Sequence, residues 1–119
     1  WQGYLGTDVL ATVDLGSVKT LKHLGLSVLQ DQRSWIWYPE SVQFAWSMNG
    51  HDWSSATVTN TVPRTAEGTQ TMEMTTELLN KHARYIKVIA KYAGPCPDWH
   101  PGKGEASHIF TDELLIDCE

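Results

Sequence analysis

Residues 34–39 (SWIWYP) and 95–101 (PCPDWHP) are bounded by proline and hold three of the chain's six tryptophans, Trp35, Trp37 and Trp99. An indole on a loop offers a large, rigid contact area at little entropic cost, so tryptophans placed in turns point to a flat and partly apolar ligand. A pyranose fits that description, with one face of C–H groups and a rim of hydroxyls that needs fixed donors and acceptors. Asp98 and His100 flank Trp99, and Asp31, Gln32 and Arg33 precede Trp35, so each indole has polar groups within reach of such a rim. The candidate contacts are therefore Trp99, Trp35, His100, Arg33, Asp98 and Asp31.

Other chemistries find less support. Cys96, Asp98 and His100 are zinc-competent types, but one local cluster without a second ligand pair is not a zinc signature. Asp98 with Glu105 or Asp112 could form the carboxylate pair of a glycosidase, yet nothing in their spacing marks them as one. No Gly-x-Ser-x-Gly nucleophile motif, phosphate-binding glycine loop or helical His pair occurs. The sequence thus predicts a binding protein rather than an enzyme.

The elements that must position these residues read as β-strands. Val9, Ala11, Val13 and Leu15 alternate with Leu10, Thr12 and Asp14; Leu24, Leu26 and Val28 with Gly25 and Ser27; Val42, Phe44 and Trp46 with Gln43 and Ala45; and Ile86, Val88 and Ala90 with Lys87, Ile89 and Lys91. Trp46 belongs to a core face. Asn49-Gly50 predicts a type I′ hairpin turn, with Trp53 packing across it. Trp35 and Trp37 share parity, so one caps the core while the other faces solvent. In the last run Phe110, Leu114 and Ile116 share a parity with Asp112, an exception that a strand-end position, a bulge or a hydrogen-bonded role would explain. Only residues 76–82 read as helical. About seven short strands with frequent turns predict a two-sheet sandwich of jelly-roll type.

At 119 residues the chain is one domain. It starts at Trp1 without an initiator Met and reads as a piece of a longer protein. A net charge of −5 supplies no basic field for nucleic acid or anionic lipid. Cys96 and Cys118 are the two cysteines. If the strands ending near Gly94 and Asp117 are antiparallel neighbours, the two thiols lie at opposite ends of the sheet and stay unpaired.

Three spaced stretches carry a family resemblance: Val13-Asp14-Leu15-Gly16, then Ser47-Met48-Asn49-Gly50 with Trp53, then Ala83-Arg84-Tyr85-Ile86-Lys87-Val88. Together they resemble the discoidin, or coagulation factor 5/8 type C, domain, whose bacterial branch is the family 32 carbohydrate-binding module. SWIWYP and the stretch 96–115 further resemble modules at the C-terminus of family 20 glycoside hydrolases of the β-hexosaminidase or chitobiase type. The resemblance spans residues 1–119 as a single module and implies a discoidin-like jelly-roll β-sandwich lacking its first strand. It implies a non-catalytic, monomeric accessory module, exported to a bacterial periplasm or cell surface, that targets an attached glycoside hydrolase to its glycan. Terminal galactose, N-acetylglucosamine or N-acetylgalactosamine is the ligand it suggests. It also implies a structural calcium ion with Glu113 among its ligands. The alternative is a structural or protein-interaction domain packed against the parent enzyme.

Overall fold

The computed structural model describes residues 1–118, with the side chains of residues 79 and 80 left out of the description. Six strands form one antiparallel sheet: β1 (Gln2–Leu5), β2 (Val9–Gln30), β3 (Ser41–Ser47), β4 (Ser54–Thr59), β5 (Gln70–Lys91) and β6 (His108–Cys118), in the order β1-β6-β2-β5-β3-β4.

Two strands of 22 residues replace the several short ones that the sequence predicts. They run from Val9 opposite Ala90 to Gln30 opposite Gln70, and midway the register slips so that residues 15–18 of β2 stand opposite Arg84 alone. Gly16 takes a φ of +84° inside that excess, a value most other residues reach only with strain. Asp14 accepts the Gly16 amide at 2.8 Å and a two-pronged contact from Arg84 at 2.9 and 3.1 Å. The sheet turns back on itself at this corner, and each long strand contributes to both layers of a sandwich. Leu24, Leu26, Val28 and Met74 from one layer and Val42, Phe44, Trp46, Ile86, Val88 and Ala90 from the other share one buried core.

Several local expectations change. Residues 76–82 are strand, with Thr76 paired to Leu24 and His82 to Thr20; the ladder with β2 outweighs a local helical preference. The hairpin between β3 and β4 forms, but Asn49 does not reach positive φ and the connection spans residues 48–53, so the turn is not type I′. Asn49 acts through its side chain instead, Oδ1 accepting the amides of His51 and Asp52 at 2.8 and 2.9 Å. Within β6, Ile109 and Thr111 face inward rather than Phe110. A slip between Leu26 and Val28 of the partner strand resets parity before Leu114, which accounts for Asp112.

β5 and β6 are not neighbours. They flank β2 on opposite sides and therefore run parallel, contrary to the antiparallel arrangement considered above. Cys118 still ends up far along β2, opposite Leu21, whereas β5 ends beside Val9, and both thiols are free.

Candidate functional site

The strap between β2 and β3 carries the first indoles. Gln30 is fully buried and bridges outward, its Oε1 accepting the Tyr38 amide at 3.3 Å and its Nε2 donating to the Pro63 carbonyl at 3.1 Å. Reciprocal backbone bonds between Asp31 and Ile36 at 2.9 and 3.0 Å pinch the loop closed. Inside it Asp31 caps a single 3-10 turn (Gln32–Ser34), accepting the Arg33 amide and the Ser34 hydroxyl at 3.2 Å each.

That turn ends with Trp35 at φ 62° and ψ 37°, the one non-glycine residue with positive φ among those described. A left-handed conformation costs a bulky residue about 1–2 kcal/mol. The conformation is held from outside, because His108 donates its amide to the Trp35 carbonyl at 2.8 Å and accepts the Trp37 amide at 3.1 Å. Trp35 is thereby turned outward, 36% exposed, while Trp37 is buried.

The second loop, residues 95–106, is closed by Cys96 N–H to Glu105 O at 2.8 Å and Gly104 N–H to Cys96 O at 3.1 Å. Trp99 stands at its tip, 51% exposed. Gly102 lies against the Trp35 indole, where an added Cβ would come within 2.9 Å of two ring carbons. His100 sits between the loops with ring centroids 5.0 Å from Trp37, 5.9 Å from Trp99 and 6.0 Å from Trp35, all edge-on. Burial raises the Cys96 thiol pKa, so it favours the neutral form beneath this loop.

A third segment, residues 63–67, was not singled out from the sequence. It is clamped through its carbonyls: Trp37 Nε1 donates to Arg64 O at 3.0 Å, and Gln32 Nε2 reaches Thr65 O and Ala66 O at 3.2 Å each. The Arg64 guanidinium lies 4.7 Å over the Trp37 ring and donates to Pro95 O at 3.0 Å, tying this segment to the second loop. Its partial burial lowers the guanidinium pKa. Pro63 and Gly68 mark a loop, but the bonds that bring it to the site are to backbone carbonyls, which leave no trace in residue type.

The three segments enclose an open cleft of about 590 Å³ lined by Gln32, Arg33, Trp35, Thr65, Glu67, Trp99, His100 and Pro101. Of the residues expected from sequence, Trp35, Trp99, Arg33 and His100 converge here, and Asp31 and Asp98 do not line it. Asp31 is consumed in capping and also accepts the Thr69 hydroxyl at 3.3 Å; Asp98 is exposed beside Trp99. His100 lines the cleft as a buried ring with both nitrogens bonded to backbone, so it is not the rim donor expected. Thr65 and Glu67 are additions. Among the described residues the side chains of Arg33 and Glu67 have no ion-pair partner, which leaves a donor fork and a carboxylate free at the rim.

Glu67 is the one carboxylate in this lining, whereas glycosidase chemistry needs two across a substrate. Asp112 lies instead beside Trp1 in a separate hollow on the sheet. Glu113 is exposed on β6, and among the described residues no three His, Cys, Asp or Glu side chains gather as a metal would require.

No family model matches the chain, and no curated protein does. Solved structures do. A fragment of a protein described as a chitobiase from Bacteroides thetaiotaomicron superposes with a TM-score of 0.59 at 16% identity, covering 98% of this chain and 68% of the other. CBM32-3 from a family 31 glycoside hydrolase of Clostridium perfringens superposes with a TM-score of 0.53 at 14% identity, covering 100% and 72%. No helix among the described residues is long and apolar enough to cross a membrane. The all-β, antiparallel chain has a β-sandwich fold like that of CBM32-3.

Proposed function

We propose that the protein is a non-catalytic carbohydrate-binding module whose site is the Trp35–Trp99 cleft. The observation that carries this reading is the convergence, from separate loops, of two exposed indoles on a cleft rimmed by the unpaired Arg33 and Glu67. The indoles take the C–H face of a pyranose. Arg33 donates to its hydroxyl oxygens, and Glu67 accepts from its hydroxyl protons, with Thr65 and the nearby Asp98 completing the rim. The strained Trp35 supports the assignment, since a conformation costing free energy persists where the surroundings over-determine it and often serves a site.

The ligand in this reading is a terminal galactose, N-acetylglucosamine or N-acetylgalactosamine, bound with a Kd of about 1 μM to 1 mM. An open, shallow site of that strength serves by avidity, holding a tethered glycoside hydrolase outside the cytoplasm at a multivalent glycan. The structural neighbours named as chitobiase and as part of a family 31 glycoside hydrolase are consistent with such a parent.

The test is an NMR titration of the domain with the three sugars, following the tryptophan indole N–H signals in wild type and Trp99→Ala. Saturable shifts of the Trp35 and Trp99 signals are expected in wild type; in the variant, which keeps only the Trp35 signal of the two, saturation should need at least about tenfold more sugar. Signals that stay still with every sugar would overturn the reading and leave a structural or protein-interaction domain.

A further inference from the structure

His100 uses both of its ring nitrogens on backbone. Nδ1 accepts the Gly102 amide at 2.9 Å, and Nε2 lies 2.7 Å from the Gln32 carbonyl oxygen. An amide can only donate and a carbonyl can only accept, so these bonds require the neutral imidazole with its proton on Nε2. The ring is 6% exposed. It is a cross-link between the strap and the second loop, and three indoles pack edge-on around it.

A second proton would go to Nδ1 and place a donor against the Gly102 N–H. The surroundings offer that charge no partner. The strap brings Asp31, already bonded to Arg33 N–H, Ser34 and Thr69, and the cation Arg33. The segment 63–67 brings Arg64, stacked on Trp37, and Glu67 at the rim. The second loop brings Cys96, Asp98, Lys103 and Glu105, and β6 brings His108. Among the described residues none of these side chains bonds the His100 ring. Protonation must therefore open the 100–104 turn, and Gly102, which packs on the Trp35 indole, moves with it.

We propose that His100 is the positioning residue of the cleft and makes its geometry proton-linked: the neutral ring holds Trp35 and Trp99 in the binding arrangement, and proton uptake releases them. The neutral form is the one bonded in place, so the arrangement is complete with the ring unprotonated and is lost on proton uptake as pH falls. The effect on affinity rests on the carbohydrate reading; the effect on the indoles does not.

The experiment follows the histidine ring nitrogens and the tryptophan indole N–H signals of the ligand-free protein from about pH 8 to about pH 5. His100 is expected as the Nε2–H tautomer at the alkaline end, with the Trp35 and Trp99 signals moving in step as its ring titrates. Affinity for whichever of the three sugars binds should fall about tenfold over the same range, the equivalent of losing one hydrogen bond. His100→Asn retains an acceptor for the Gly102 amide but cannot gain a proton, and its indole signals should no longer follow pH. An Nδ1–H tautomer, a ring that stays neutral to pH 5, indoles that stand still while the ring titrates, or an unchanged response in His100→Asn would each overturn the proposal. If the Asn variant does not fold, the wild-type tautomer and indole titration decide alone. Indoles that track His100 in a protein that binds none of the sugars would retain this inference and remove the carbohydrate reading.

Discussion

The loop end and the turned end of the sandwich each carry a pair of tryptophans beside a cleft, and the pairs are used differently. Trp35 and Trp99 face a space of about 590 Å³ and remain substantially exposed. At the turned end Trp46 and Trp53 border about 290 Å³, but Trp46 is buried in the core and the Trp53 ring lies under the Lys87 ammonium at 4.4 Å. An indole on a strand is committed by the pleat: every second residue of β3 points into the core, and Trp46 falls on that parity with Val42 and Phe44. An indole on a loop is aimed by whatever bonds the loop makes. Trp35 is turned outward by a left-handed residue held from β6, and two positions later Trp37 is turned inward by a bond to Arg64.

Three substitutions probe that contrast. Trp46→Ala should have the largest effect, lowering the free energy of unfolding by about 3–5 kcal/mol in chemical denaturation. Sugar affinity measured on the fraction that remains folded should be unchanged, and a matching loss of affinity would show that the two ends are not independent. Gly102→Ala acts at the other end. Its methyl group would meet Trp35 ring carbons at 2.9 Å and Cys96 Sγ at 3.2 Å, so Trp35 must shift. The expected result is an affinity loss of about tenfold with a stability change of under about 1 kcal/mol; the reverse pattern would make Trp35 a packing residue like Trp46.

The smallest effect is expected at the corner. The hydrogen bond from Arg84, then that from the Gly16 amide, holds the Asp14 carboxyl below its usual value of 3.8. A depressed carboxylate stabilises the fold above its unfolded pKa, and that contribution is lost as pH falls through the lowered value. Asp14→Asn should therefore flatten the acid limb of the stability curve below about pH 4 and leave the loop-end cleft untouched. Thermal melts at a series of pH values would show it, and an unchanged acid limb would remove the pair from the account of the corner.

Much of the fold was legible in residue order. The inward faces at Val42, Phe44 and Trp46 and at Ile86, Val88 and Ala90 are buried as their alternation predicts, and the Asp112 exception marks a bulge. The Val9, Ala11, Val13, Leu15 face was read too generously. Val9 is buried and Val13 and Leu15 are half-buried against the core, but Ala11 is exposed, on a stretch of β2 that pairs with β5 alone. Residues 15–18 were absorbed into one long strand because a local pattern cannot show that a bulge continues the ladder rather than ending it.

The candidate site was half legible. Trp35, Trp99 and Arg33 stood out because loop aromatics with polar neighbours are unusual in composition, and these residues do converge. Thr65 and Glu67 were not foreseen, and His100 was assigned to the ligand when its nitrogens belong to the backbone. By itself the sequence determined the strand faces, the buried Trp46 and the presence of two aromatic loops, since side-chain periodicity and proline placement are local properties. Only the tertiary structure decided which indole faces out, which third segment joins them and which tautomer His100 holds. Those outcomes depend on hydrogen bonds between groups tens of residues apart, many to backbone carbonyls that every residue carries alike.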